Sequence, residues 1–148
     1  MQTATEIVEH LDLPIRVEPG LIEWLNPKWY DYSAGAYPLK TLAQSYPVAR
    51  DYEPLLRPRY PEQDEETSRA RCTYVARQLA HEATGNILLI SHGVCVLNIV
   101  EGLTGGRAGA KDQTCAINIV APKWTGGWQL AEVITSHLSV GEKKVEYV

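Results

Sequence analysis

The apolar positions of this chain fall into distinct periods. Residues 87–90, Ile-Leu-Leu-Ile, form an unbroken aliphatic run that stops at Ser91-His92-Gly93. Such a run reads as a strand buried on both faces, the habit of a parallel sheet. Residues 94–102 continue as a helix. Over residues 65–84, Cys72, Val75, Ala76, Leu79 and Ala83 recur at helical spacing, with Gly85 as the stop. Near the N-terminus Ala4, Ile7, Val8 and Leu11 share one helical face. Thr3-Ala4-Thr5-Glu6 offers a capping box to open it, and Asp12-Leu13-Pro14 ends it. Ile15-Arg16-Val17 reads as a short strand halted by Pro19-Gly20, and residues 21–25 as a short helix or turn. Residues 114–121 alternate, residues 128–134 form a second strand, and the turn residues between them predict an antiparallel hairpin.

Between these elements lies a long irregular region, residues 26–61, broken by Pro27, Pro38, Pro47, Pro54, Pro58 and Pro61. A loop of that length in one domain is usually functional or a lid. Its Trp29, Tyr30 and Tyr32 either wall a pocket or cover a sheet edge. Arg69, Arg71 and Arg77 sit off the apolar stripe of the 65–84 helix and read as solvated or snorkelling side chains. The order of elements predicts an α/β fold: a mixed, mostly parallel sheet with helices on both faces and no opening strand. The polar tail at residues 141–144 is expected to fray.

Composition narrows the function. A chain of 148 residues with 45% hydrophobic and 22% charged positions suits one globular domain, residues 1–148. A net charge of -4 excludes a general nucleic-acid binder, which needs a basic surface against the phosphates. No apolar run approaches the ~20 residues that span a bilayer, and no secretory signal is visible. Cys72, Cys95 and Cys115 are odd in number and set in apolar patterns, so they are expected to be buried free thiols of a cytoplasmic protein. No Cys/His spacing suggests zinc.

The candidate chemistry centres on His92. A histidine at the carboxyl end of a strand and beside a helix N-terminus stands where open α/β sheets bind ligands. The helix start, with its free N–H groups and partial positive charge, suits an anion such as phosphate. The plain alternative is a histidine that only ends a strand. A hydrolase triad through Ser91, Cys95 or His137 has little support: there is no Gly-x-Ser-x-Gly elbow, and Cys95 falls one turn into an apolar helix. Residues 102–106 (Gly-Leu-Thr-Gly-Gly) follow a helix and not a strand, unlike a phosphate-cradling loop.

Gln2-Thr3-Ala4, the string Arg16-Val17-Glu18-Pro19-Gly20-Leu21-Ile22-Glu23-Trp24 and residues 87–93 together resemble the histidine phosphatase (phosphoglycerate mutase-like) superfamily. The string at 16–24 is similar to the branch formed by the phosphatase domains of ubiquitin-associated and SH3-domain-containing proteins (suppressors of T-cell receptor signalling) and by insect ecdysteroid-phosphate phosphatase. The resemblance runs over roughly residues 2–135. It implies a three-layer α/β fold and metal-free, cofactor-free hydrolysis of phosphomonoesters, either protein phosphotyrosine or small phosphate esters. A nucleophilic histidine takes the phosphoryl group, a second histidine and arginines hold its oxygens, and a carboxylic acid protonates the leaving oxygen. His92, with Gly93, matches the second histidine and its phosphate contact. Glu23 matches the acid, a role that requires a raised pKa. The nucleophile of that family lies in an Arg-His-Gly motif on the first strand, and this sequence contains none. The implied picture is a domain missing its first third, with phosphorylated small molecules or phosphoproteins as partners. A homodimer or a non-catalytic regulatory module is the alternative.

Overall fold

The computed structural model describes residues 1–29 and 37–138. Its α-helices, in chain order, are α1 (Gln2–Leu11), a single turn α2 (Leu39–Leu42), α3 (Glu65–Glu82) and α4 (Gly93–Thr104). The start of α3, Glu65–Glu82, is set by Asp64, whose carboxylate accepts the Thr67 N–H at 2.8 Å. That satisfies one of the free donors of a first turn, and Glu65 and Glu66 beside it suit the helix dipole. The helix ends when Ala83 turns extended, two residues before the expected glycine stop. α4 spans Gly93–Thr104 and packs along α3. Between them lies the core: Leu21, Cys72, Val75, Ala76, Cys95 and Ile99. The rim of this pair is polar. Arg77 Nε donates to the Gly102 carbonyl at 2.8 Å, and Arg69 Nη1 meets Glu101 Oε1 at 3.0 Å.

α1, Gln2–Leu11, is helical from its second residue, with Met1 as cap. Thr3 therefore sits inside the helix and cannot form the expected capping box. Thr5 instead returns its hydroxyl to the Met1 carbonyl at 3.2 Å. Only Ala4 of this helix is buried, and Leu11 at its end and Leu13 beyond it lie exposed. The irregular region holds one short helical turn, α2, Leu39–Leu42. The strand expected at residues 15–17 reduces to a single parallel bridge between Ile15 and Val48. Tyr30, Tyr32 and the tail at 141–144 lie outside the described residues.

The hairpin forms as predicted. β1, Ile117–Pro122, pairs antiparallel with β2, Trp128–Ile134, in a register running from Ile117↔Ile134 to Pro122↔Trp128, irregular between Ile119 and Val120. Cys115, expected to be buried, is exposed ahead of β1 with a positive φ of 62°. The 87–90 run departs most from expectation. It joins no ladder, and Ile87, Leu88 and Ile90 are 49%, 56% and 39% exposed. Among the described residues no strand lies beside it to cover its faces or take up its backbone groups. The class is α/β, and its ladders among the described residues are the hairpin and the single bridge. No described helix is long and apolar enough to cross a membrane.

Candidate active site

The site is built on a short turn rather than on a strand. Pro19–Leu21 forms one turn of 3-10 helix, opened by Glu18. The Glu18 carboxylate gathers four donors: the N–H groups of Gly20 (2.9 Å), Leu55 (2.7 Å) and Leu56 (3.2 Å), and the Tyr52 hydroxyl (2.9 Å). It thereby ties the turn to the irregular region. Partial burial, with the hydrogen bond and charge of Glu18, pushes the Tyr52 phenol up to about 12. Gly20 is required on packing grounds, since a Cβ there would come within 2.5 Å of Val75 Cγ2 on α3.

From Gly20 to Glu23 every backbone carbonyl accepts a hydrogen bond from a side chain. Arg71 Nη1 donates to Gly20 and Ile22, both at 2.9 Å, and Nη2 donates to Glu23 at 3.3 Å. Ser91 Oγ donates to Leu21 at 2.6 Å, and the Cys95 thiol donates to Ile22 at 3.0 Å. Behind the turn, Glu62 grips Arg71 through Nε at 2.6 Å and Nη2 at 2.9 Å, and accepts the Leu25 N–H at 2.9 Å. Both partners are buried. Burial works against the Arg71 charge, but the hydrogen bond and charge of Glu62 outweigh it and hold the guanidinium above its ordinary value. The expectation that Arg71 is solvated is thus corrected. Extending the stripe Cys72-Val75-Ala76-Leu79 back one turn lands on Ser68 and Arg71, both buried. A charge on the apolar stripe was the signal that sequence reading missed.

This frame presents Glu23. Its Oε1 accepts the Trp24 N–H at 2.9 Å, and its Oε2 lies 3.3 Å from His92 Nδ1. The two side chains differ in access: Glu23 is 12% exposed and His92 is 60% exposed. His92 is the residue before α4, extended, and its ring makes no capping bond. With Nδ1 occupied, Nε2 has no partner among the described residues and is open to a ligand. A carboxylate at Nδ1 favours the tautomer that carries its proton there, leaving the Nε2 lone pair outward. Protonated, the same ring is a cation directed at solvent by its acid partner. Gly93 opens α4 with the backbone of Asp112 close by, and a Cβ there would lie 3.0 Å from the Asp112 carbonyl oxygen. The structure thus brings together Glu23 and His92, 69 residues apart by subtraction of their numbers, with Gly93 beside them.

The remaining candidates are placed elsewhere or already occupied. His137 Nε2 lies 2.9 Å from the Cys115 carbonyl, at the end of the hairpin. His10 and His81 sit in the last turns of α1 and α3. Ser91 and Cys95 both spend their protons on the Glu23 turn, and the hydrogen bond with Cys72, together with burial, pushes the Cys95 thiol up. Neither is a free nucleophile. An open cleft of about 560 Å³ lies behind the buried ion pair, lined by Leu56, Arg57, Arg59, Tyr74, Glu62 and Arg71. Neither Glu23 nor His92 lines it.

A carboxylate and a histidine are thus held side by side at a helix start, with no described nucleophile free beside them. Residues 1–134 match the histidine phosphatase superfamily, branch 1, and the chain belongs to that superfamily. It is also 33% identical over 117 residues to the ecdysteroid-phosphate phosphatase of Drosophila melanogaster, an alignment covering 72% of this chain. The chain spans only 15% of that relative's length.

Proposed function

We propose that this chain carries the acid and second-histidine part of a phosphomonoesterase site. His92, with both ring nitrogens protonated, donates its Nε2–H to phosphoryl oxygens, helped by the Gly93 N–H at the start of α4. Glu23, in its protonated form, donates to the oxygen that leaves with the alcohol or phenol. No metal or other cofactor enters this reading. The observation that carries it is the 3.3 Å contact between Glu23 Oε2 and His92 Nδ1, made by the two residues that the family resemblance singles out. The substrates that fit are phosphorylated small molecules or a phosphoprotein carrying phosphotyrosine. In the three-layer sheet of the family, residues 87–90 would be an inner strand, and their exposure marks where further strands would pair.

The second reading is a non-catalytic, regulatory or dimerising module. It is favoured by the histidines themselves: His10, His81, His92 and His137 are the full set, and none stands in an Arg-His-Gly motif. Hydrolysis of an aryl phosphate by the full chain separates the two. Turnover that is lost in His92→Ala, and that in Glu23→Gln slows more for poor leaving groups than for good ones, supports the esterase. A folded chain that binds inorganic phosphate through His92 without turnover supports the module. A chain that neither binds nor hydrolyses contradicts both roles for His92.

A further inference from the structure

We propose that Arg71, locked by Glu62, is a positioning residue that sets the tautomer of His92 through Glu23. This deepens the reading above and rests on Glu23 and His92 being the site. All five N–H groups of a guanidinium are needed to make the pattern observed. Nε and one Nη2 proton go to Glu62, the two Nη1 protons go to the carbonyls of Gly20 and Ile22, and the last Nη2 proton points between the Glu23 carbonyl and Ser68 Oγ at 3.2 Å. Three carbonyls within four residues are thus fixed by one rigid fork, and one of them belongs to the residue whose carboxylate meets His92.

An ordinary buried ion pair is satisfied by its own partners. Here the guanidinium also organises a stretch of backbone that has no ladder of its own, and the side chain it aims reaches the imidazole. Lysine cannot reproduce this, because an ammonium is a point charge on a flexible stem and offers three donors without the fork. The consequence lies at the far side of Glu23. If the carboxylate shifts, His92 Nδ1 loses its acceptor. The neutral ring then relaxes from the Nδ1–H form toward the Nε2–H form, and the ring loses the contact that fixes its orientation toward the phosphate.

The test is the ¹⁵N signature of the His92 ring in the full chain, read at a pH where the imidazole is neutral. The variants are Arg71→Lys, Glu62→Gln, Glu23→Gln and, as control, Glu18→Gln, which loosens the same turn from its other side. Circular dichroism reports that each is folded, and Glu62→Gln, which keeps size and one acceptor, is the milder change should Arg71→Lys unfold. The expected result is the Nδ1–H pattern in the wild type and in Glu18→Gln, and a shift toward Nε2–H in Arg71→Lys, Glu62→Gln and Glu23→Gln. A wild-type pattern in folded Arg71→Lys and Glu62→Gln, with Glu23→Gln shifted, overturns the positioning role and leaves the Glu23–His92 pair standing. No shift in Glu23→Gln means the pair itself does not hold the ring, and the reading of the site fails with it.

Discussion

Two stretches of this molecule invert the usual roles of polar and apolar sequence. Residues 20–25 carry a glutamate, contact an arginine and a second glutamate, and lie in the interior. Residues 87–90 are wholly aliphatic, and Ile87, Leu88 and Ile90 stand 39–56% exposed. The difference is in what each backbone pairs with. The first has every carbonyl from Gly20 to Glu23 satisfied by side chains of α3, Ser91 and α4. These buried carbonyls, with Arg71 and Glu62, are tolerated because they are paired; the indole Nε1 of Trp24 is the one buried side-chain donor of the stretch left without a partner among the described residues. The second has no strand beside it among the described residues, so its apolar side chains have nothing to bury against. Burial here follows from partners and not from hydrophobicity.

The comparison can be broken at its strong end first. Arg71→Leu leaves Glu62 buried without its cation, and removing one member of a buried pair costs on the order of 3–5 kcal/mol. Urea denaturation should show that loss. Gly20→Ala tests the same turn by packing. Its methyl group would sit 2.5 Å from Val75 Cγ2, and overpacking of this kind costs roughly 1–3 kcal/mol. At the weak end, Leu88→Ser should change stability by no more than about 0.5 kcal/mol, as at an ordinary surface position. A loss of several kcal/mol there would show that residues 87–90 are covered in solution.

Two titrations sharpen the contrast without removing packing. The Tyr52 phenol, tied to Glu18, should ionise near 12 in a spectrophotometric titration, and Tyr52→Phe should abolish that step. Its folded value is raised, so its contribution is complete below the unfolded phenol value of about 10 and fades as pH climbs through the folded one. Asp64 runs the other way. The hydroxyl and then the N–H of Thr67 hold its carboxyl below the usual range. Its contribution is therefore present above the unfolded value of about 3.9 and is lost as pH falls through the folded one. Acid unfolding of Asp64→Ala should show a weaker dependence in that window.

Much of this was legible from periodicity. α3, α4 and the hairpin are strong repeats of 3.6 and of 2, and their positions hold to within a few residues. Glu23 and His92 were legible as a pair only through the family resemblance, because 69 residues separate them and no spacing rule joins them. Arg71 was missed although its place on the stripe of Cys72 and Val75 was visible. A charged residue one turn beyond an apolar face is normally a solvated end, and what reverses that here is Glu62, nine residues upstream across a turn. The 87–90 strand was misplaced for the opposite reason. An aliphatic run states what a segment prefers, and only the fold supplies neighbours.

The central claim is that Glu23 and His92 form an anion-facing pair. It is tested most directly by adding inorganic phosphate to the full chain while following the ring signals of all the histidines by NMR. The account predicts a saturable shift of His92, with His10, His81 and His137 unmoved, and its loss in Glu23→Gln. Phosphate that leaves His92 unmoved while perturbing Tyr74 would place the anion in the cleft beside Arg57 and Arg59, and would contradict the assignment.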